Sequence, residues 1–224
     1  MDKLGCQWSL AYIPASAESG TLSSAGSDLM GVAALPDWVI PPPGGFTADD
    51  FLKMEGLPRH TELIDGSLVF VSPQEKWHSR VINLLVRELD AQAPEGVRAD
   101  REMAVKLAKR QVPEPDVLVV TQEAYERPDP STYYFAEDLV LAVEAVCPDS
   151  EDRDRDTKPR KYAAAGIRHF WRVENDAGRT VVYVYELDPA TKCYALTGIH
   201  HDRLVLSVPY AIDIDLTQVG RRGA

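Results

Sequence analysis

Two carboxylates stand in unusual places in the sequence. Glu144 interrupts the apolar run Leu139–Val146, where a carboxylate costs free energy unless it is paired or bound to a metal ion. Asp116 follows Pro115 and precedes a second apolar run, Val117–Val120. On adjacent strands of one sheet, the two side chains could converge on a hard cation such as Mg²⁺ or Mn²⁺, which prefers oxygen ligands. Taken singly, Glu144 could face solvent or pair with an arginine, and Asp116 could be a turn residue.

A basic cluster follows Glu144 in the chain. Within nine residues, interleaved with Asp154 and Asp156, the chain carries Arg153, Arg155, Lys158, Arg160 and Lys161. Such runs are commonly solvated helix faces. Pro159 is best tolerated in the first turn of a helix, which predicts Lys158 at a helix N-terminus, where a cation opposes the helix dipole. That local cost favours a role for Lys158 in positioning an attacking water or in stabilising a phosphorane-like transition state. Lys161 could face the same side, and spacing alone does not choose between the two lysines.

Hydrophobic patterning predicts the elements that must position these residues. In chain order, the first predicted elements are a hairpin over 62–71, a helix over 75–91, a strand over 97–107 that could be broken in two, and a strand over 115–121. A polar loop over 125–137, a strand over 139–146, a charged segment over 149–165 that ends in a helix, and short strands after 167 follow, with His200 and His201 in a loop. The hairpin rests on Asp65-Gly66, a strong turn signal, and the strand over 139–146 is typical of a central strand covered on both faces. The fold class is therefore α/β or α+β, with a mixed sheet.

The domain organisation follows from composition. Residues 1–45 lack periodicity and end in a proline–glycine run, which predicts a flexible N-terminal extension. The regular body is predicted over 46–216, and residues 217–224 form a C-terminal tail.

Composition and charge exclude several classes of protein. No stretch of about 18 apolar residues exists, so we expect no membrane-spanning helix. Three widely spaced cysteines exclude a disulfide framework and a cysteine-based zinc site, and they favour a reducing, cytoplasmic location. A net charge of −11 excludes a protein that coats DNA nonspecifically, but it leaves room for a site that binds phosphate locally through a few cations and a metal ion.

Several short motifs follow one another along the body of the chain. They are Glu62-Leu-Ile-Asp-Gly66, Ser72-Pro73 followed by His78, Glu114-Pro-Asp116, Val143-Glu144, Asp154-x-x-x-Lys158-x-x-x-Tyr162, Gly166-Ile167 and Phe170-Trp171. In this order and spacing, over about residues 46–216, the chain resembles the PD-(D/E)XK nuclease superfamily and, more narrowly, the Uma-two family of restriction-endonuclease-like proteins.

The resemblance implies a restriction-endonuclease-like core, with a mixed central β-sheet flanked by helices, and a metal-dependent endonuclease that hydrolyses phosphodiester bonds of DNA. It implies that Asp116 and Glu144 bind Mg²⁺ or Mn²⁺ and that Lys158 is catalytic. Further candidates for the site are Glu62, His78, Asp154 and Lys161, although a structurally satisfied histidine is the default for His78. A homodimer is also implied.

The sequence departs from the superfamily pattern at two positions. The superfamily lysine lies two residues after the glutamate, which is Val146 here, so its role would move to Lys158. Cys147 stands where the family usually has serine, and a buried, inert thiol is the simplest role for it. An alternative function is therefore a catalytically weak or inactive nuclease-fold module for binding or regulation. Val146 and the acidic charge favour this module, whereas the intact set Asp116, Glu144 and Lys158 favours the enzyme.

Overall fold

The computed structural model describes residues 40–221. The predicted flexible extension over 1–45 therefore lies outside the described residues except for its last six positions. Within residues 40–221, the strands are β1 (Glu62–Ile64), β2 (Ser67–Val69), β3 (Val97–Arg101), β4 (Ala104–Lys106), β5 (Val117–Thr121), β6 (Tyr133–Phe135), β7 (Leu139–Ala145), β8 (His169–Asp176), β9 (Arg179–Asp188), β10 (Cys193–His201), β11 (Arg203–Leu206) and β12 (Ile212–Asp215).

The helices of the same range are few and short, apart from one. They are α1 (Ala48–Phe51), α2 (Lys76–Gln92), α3 (Gln122–Glu126) and α4 (Lys158–Ala164), with 3₁₀ turns at Ala136–Asp138 and Leu216–Gln218 and a π-helical turn at Arg153–Thr157. None of the helices in residues 40–221 has the length and apolar content needed to cross a bilayer.

A six-stranded mixed sheet organises the molecule. Its strand order is β10-β9-β8-β7-β5-β3, and only β7 and β8 run parallel. Strand β7 lies inside the sheet and all but one of its residues are buried, as expected for an apolar run covered on both faces. The parallel β7–β8 pair requires a crossover connection, and the charged segment with α4 supplies it. The predicted mixed α/β fold class is confirmed.

The sheet is covered on both faces by helices. The apolar stripe of α2, with Val81, Leu85 and Leu89, packs against one face of the sheet, where it joins a core cluster that includes Trp171 of β8. On the other face, Tyr162 of α4 packs against Phe170 of β8. Because side chains alternate along a strand, Val143 lies on the α2 face and Glu144 on the α4 face. This alternation decides which side of the sheet carries the carboxylate.

The hairpin β1–β2 is attached to the body through the segment after β4. Leu63 exchanges two backbone hydrogen bonds with Val112, at 3.0 and 2.8 Å. Its turn, Asp65-Gly66, has both residues in the left-handed region, and a Cβ at Gly66 would lie 2.5 Å from the Arg110 side chain. The turn that the sequence predicts here is therefore present, and it fixes the direction in which Glu62 leaves the hairpin.

Three local predictions are wrong. The predicted loop over 125–137 contains β6, because Tyr133–Phe135 pairs in parallel with the distant strand β4. His200 and His201 belong to β10, which pairs with β9. Lys158 does not begin an isolated helix, since the π-helical turn over 153–157 runs directly into α4. The assumed conflict of Lys158 with the helix dipole is therefore absent.

The core contact of α2 yields a test of stability. Leu85→Ala removes a fully buried side chain from the α2–sheet interface and is expected to lower the free energy of unfolding by about 2–5 kcal/mol. Leu196→Ala, on β10, removes the same atoms from a side chain that is 49% exposed, so it should change stability by less than about 1 kcal/mol. Urea unfolding of both variants measures the difference, and equal losses would contradict the assignment of this interface as the core.

Candidate active site

Four of the six carboxylates that line one small cavity of about 30 Å³ are candidates from the sequence, and they come from separate elements. Glu62 begins β1, Asp116 precedes β5, Glu144 lies on β7, and Asp154 lies in the π-helical turn. The antiparallel pairing of Val117 with Val143 carries Asp116 alongside Glu144. The backbone N–H of Ala145 fixes this arrangement by donating to Asp116 Oδ2 at 2.7 Å. The predicted convergence of Asp116 and Glu144 is therefore present.

The ammonium group of Lys158 lies among these carboxylates. Its Nζ is 2.8 Å from Glu62 Oε1, 2.9 Å from Glu144 Oε2 and 3.6 Å from Asp154 Oδ1. Lys158 is only 5% exposed. Burial alone would lower the pKa of Lys158, but the attraction of Glu144, Glu62 and Asp154 raises it well above its usual value. The lysine therefore stays protonated and acts as the shared counter-ion of the cluster.

Glu144 is the most deeply buried of the four carboxylates, at 1% exposure. Its Oε1 accepts a hydrogen bond of 2.5 Å from the Tyr162 hydroxyl, and Oε2 accepts one from Lys158. Burial raises the pKa of Glu144 well above its usual value, against the opposing attraction of Lys158, and the charges of Asp154 and Asp116 add to the rise. Glu144 is thus held in a fixed orientation in a site that resists its ionisation.

The helical segment delivers three of the residues from one face. Asp154, Lys158 and Tyr162 are four residues apart, which places them on one side of a helix. The π-helical turn widens the backbone here, as is frequent at functional sites. The hydroxyl of Ser150 donates to Asp154 Oδ2, while Asp154 Oδ1 is buried without a hydrogen-bond partner. Burial raises the pKa of Asp154, again with Lys158 opposing.

His78 contacts the carboxylate of Asp116. From the first turn of α2, its Nε2 is 3.1 Å from Asp116 Oδ1, and the side chain is 2% exposed. Burial alone would lower the pKa of His78, but the hydrogen bond and charge of Asp116 raise it. His78 Nδ1 has no hydrogen-bond partner among the described residues. His78 also lines the cavity, and through its contact with Asp116 it can act as a positioning residue for that carboxylate.

Lys161 is the one predicted candidate that lies outside the cavity. Its Nζ is 2.6 Å from Asp65 Oδ1, in the hairpin turn, and both side chains are accessible to solvent. The geometry therefore separates the two lysines that spacing left equal: Lys158 joins the carboxylates and Lys161 does not. Val146, at the superfamily lysine position, lines a neighbouring cavity with Glu75 and Trp77 instead.

The residues that sequence reasoning missed include Tyr162, which contacts Glu144, and Glu114, which lines the cavity. Tyr162 binds Glu144, and its signal was the four-residue register from Asp154 through Lys158. Glu114 also lines the cavity, where its backbone N–H donates to Glu62 Oε1 at 2.8 Å and its side chain lies 2.5 Å from His60 Nδ1. The signal for Glu114 was its place two residues before Asp116.

Cys147 has no sign of reactivity. Its thiol donates a hydrogen bond of 3.1 Å to Gln74 Oε1, and burial raises the pKa of Cys147 to about 12. Because the nucleophilic form of a cysteine is the thiolate, a raised pKa keeps this residue inert near neutral pH.

The donor set fits a hard divalent cation in its chemistry. The carboxylates outnumber the two cations that line the cavity with them, Lys158 and Arg153, and Asp154 Oδ1 is buried without a hydrogen bond. No group of three or more His, Cys, Asp or Glu side chains among residues 40–221 is already arranged around a common metal position. The position between Glu62 and Glu144 is taken by the Lys158 ammonium, which satisfies the same oxygens.

The fold and site agree with comparisons to known proteins. The profile of the Uma2 family, described as "putative restriction endonuclease", matches residues 48–218, so the chain belongs to this family. Among solved structures, a "putative nuclease belonging to DUF820" from Anabaena variabilis is similar, with a TM-score of 0.55 and 19% identity, over 73% of this chain and 89% of that chain. At this identity the likeness shows the fold alone. No curated protein matches the chain significantly. The predicted family and the restriction-endonuclease-like core are confirmed.

The buried ion cluster generates a test in which Lys161 is the control. Lys158→Met leaves Glu62, Glu144 and Asp154 without their counter-ion, which is expected to lower the free energy of unfolding by about 3–5 kcal/mol. Lys161→Met breaks an accessible pair and should cost less than about 1 kcal/mol. Chemical denaturation in EDTA measures both. Losses of equal size would contradict the central position of Lys158.

The raised pKa of Glu144 generates a second test. A carboxyl with a raised pKa in the folded state binds a proton on folding, so its favourable contribution is present at low pH and is lost as pH rises through the folded-state pKa. The free energy of unfolding of the metal-free wild type, compared with that of Glu144→Gln, should therefore fall between pH 5 and pH 8. The fall should be about 1.4 kcal/mol for each pH unit over which the folded protein keeps Glu144 protonated and the unfolded chain does not. Urea unfolding of both proteins across this range measures the difference, and a rise would mean that Glu144 ionises readily.

Proposed function

We propose that the protein is a metal-dependent endonuclease that hydrolyses phosphodiester bonds of DNA. The observation that carries this proposal is the convergence of Asp116, Glu144 and Lys158, from three separate elements, in one cavity of a chain that belongs to the Uma2 family. Burial of Glu144 and Lys158 is costly for stability alone, and this cost favours a functional reason for the cluster.

Asp116 and Glu144 are the residues that would hold Mg²⁺ or Mn²⁺ in this proposal. When bound, such an ion polarises a phosphoryl oxygen and lowers the pKa of a coordinated water. Asp116 is positioned for this by the Ala145 backbone N–H and by His78, and Glu144 by the Tyr162 hydroxyl. Glu62 and Asp154 share the Lys158 ammonium and balance its charge.

Lys158 is the group that would act on the reacting phosphate. It is protonated, it is held within hydrogen-bond distance of Glu144, and three N–H bonds are available to an ammonium. In the proposed reaction one of these bonds points to the attacking water or to a non-bridging phosphate oxygen, where it stabilises developing negative charge. Tyr162 and Glu62 keep the lysine and Glu144 from turning away during this step.

Two observations favour the alternative, a binding or regulatory module without activity. The Lys158 ammonium is already bound by Glu62 and Glu144, so a substrate phosphate must compete with two carboxylates for it. The net charge of −11 also opposes DNA at long range. A divalent ion that draws carboxylate oxygens away from Lys158 would remove the first obstacle, which is why metal dependence separates the two functions.

Activity on supercoiled plasmid and on single-stranded DNA tests the proposal. With Mg²⁺ or Mn²⁺ we expect cleavage by the wild type, and Lys158→Met should lower turnover by about 10²-fold or more, because it removes a charge used in the transition state. Lys161→Met should retain activity within about 3-fold, since it changes an exposed pair outside the cavity.

Folding of each variant is checked by circular dichroism at the assay temperature. Absence of cleavage by the wild type under both metal ions would favour the binding module. Equal activity of the wild type and folded Lys158→Met would remove Lys158 from the reaction.

A further inference from the structure

A second cavity, of about 360 Å³, lies on the same face of the central sheet as the carboxylate cluster. Its volume is in the range of about 300–1,000 Å³ that is typical of small-molecule sites. Glu144 of β7 and Arg172 of β8 are paired residues on neighbouring strands, so their side chains share this face. The helical segment over 153–164 lies between the two cavities. Asp154 and Lys158 line the carboxylate cavity, whereas Arg155 and Arg160 line the second cavity.

The base of the second cavity is aromatic. Phe170, Tyr185 and Tyr194 come from β8, β9 and β10, and each tyrosine ring lies near the buried Phe170 ring, at centroid distances of 5.6 and 5.4 Å. The Tyr194 hydroxyl donates to the backbone carbonyl of Ile167 at 2.8 Å, which fixes its ring. The two tyrosines are only half-buried. They provide a rigid aromatic surface on which a planar ring can stack.

The rim of the cavity is cationic. Its four basic side chains are Arg155, Arg160, Arg172 and Lys192. Arg155 and Arg172 share the carboxylate of Glu174, and Arg172 lies over the Tyr183 ring at 4.5 Å. Arg155 also pairs with Glu151, so the four cations outnumber their three carboxylate partners, Glu151, Asp156 and Glu174, in a protein that is strongly acidic as a whole.

Arg160 and Lys192 are the cations of this rim that a ligand reaches most easily. The Arg160 side chain is 76% exposed, and within residues 40–221 it pairs with an exposed aspartate, Asp156, in a contact that adds little stability. Lys192 lies in the exposed turn between β9 and β10. Both side chains can turn towards a bound anion at small cost.

We propose that this cavity binds a nucleotide, with the base stacked on Tyr185 and Tyr194 and the phosphate held by Arg160 and Lys192. Inorganic phosphate would use the cations alone and a neutral aromatic ring the tyrosines alone, whereas a nucleotide uses both in one cavity. The nucleotide is either free or one unit of a nucleic acid strand. Neither source requires the chemistry proposed for the carboxylate cluster.

Isothermal titration calorimetry of the full chain, at low salt and with EDTA present, tests the proposal. The probes are adenosine 5′-monophosphate (AMP), adenosine, inorganic phosphate and a short single-stranded oligodeoxynucleotide. For a free nucleotide, AMP is expected to bind with a Kd below about 1 mM and at least about 10-fold more tightly than adenosine or phosphate.

Matched substitutions locate the binding. Arg160→Gln and Lys192→Gln should each weaken the binding of the probe that the wild type binds, AMP or the oligodeoxynucleotide, by about 10-fold. This is the size expected for one hydrogen bond to a charged group. Arg203→Gln is the control, because Arg203 also pairs with an exposed aspartate, Asp213, but lies on β11, outside the cavity. Tyr185→Leu should weaken AMP while leaving phosphate unchanged.

The outcomes separate the two sources. Tight AMP binding that responds to the cavity substitutions identifies a free nucleotide as the ligand. Oligodeoxynucleotide binding that responds to them, without AMP binding, identifies a unit of a strand. The proposal is overturned if no probe binds, or if Arg203→Gln weakens binding as much as Arg160→Gln. Nucleotide binding by a protein without cleavage activity would leave this proposal intact and contradict only the proposed nuclease function.

Discussion

The burial of several carboxylates around a single ammonium group is the constraint on which the site depends. Lys158 compensates Glu62, Glu144 and Asp154 at once, so hairpin β1–β2, strand β7 and the helical segment must meet at one point. An unpaired charge at this depth would cost several kcal/mol, which makes the cluster a strong restraint on the relative positions of these elements.

The helical segment over 153–164 gives the central sheet two chemically opposite cavities. Residues four apart, such as Asp154 and Lys158, point to the acidic cavity, while Arg155 and Arg160 point to the aromatic and basic one. The charge run that dominates this part of the sequence is thus divided by helix geometry between two sites. Four cations therefore lie together at the second cavity, in a protein whose net charge is −11.

Sequence patterns predicted the parts of this architecture that depend on local order. Glu144 and Asp116 were found because each interrupts or precedes an apolar run, but it is the antiparallel register of Val117 with Val143 that places them side by side. The contact of Lys158 with Glu62 spans 96 positions of the chain and has no local signal, so it became visible only in the fold. Strand β6 was missed for the same reason, because its partner β4 is distant. The catalytic roles of these residues stay a proposal.

Binding of Mn²⁺ to the purified protein, measured by calorimetry, tests most directly whether the carboxylate cluster is a metal site. The account predicts one class of site with a Kd below about 1 mM, weakened at least about 10-fold in Asp116→Asn and unchanged in Glu137→Gln, an exposed control. Absence of Mn²⁺ binding by the wild type, or equal weakening in both variants, would contradict it.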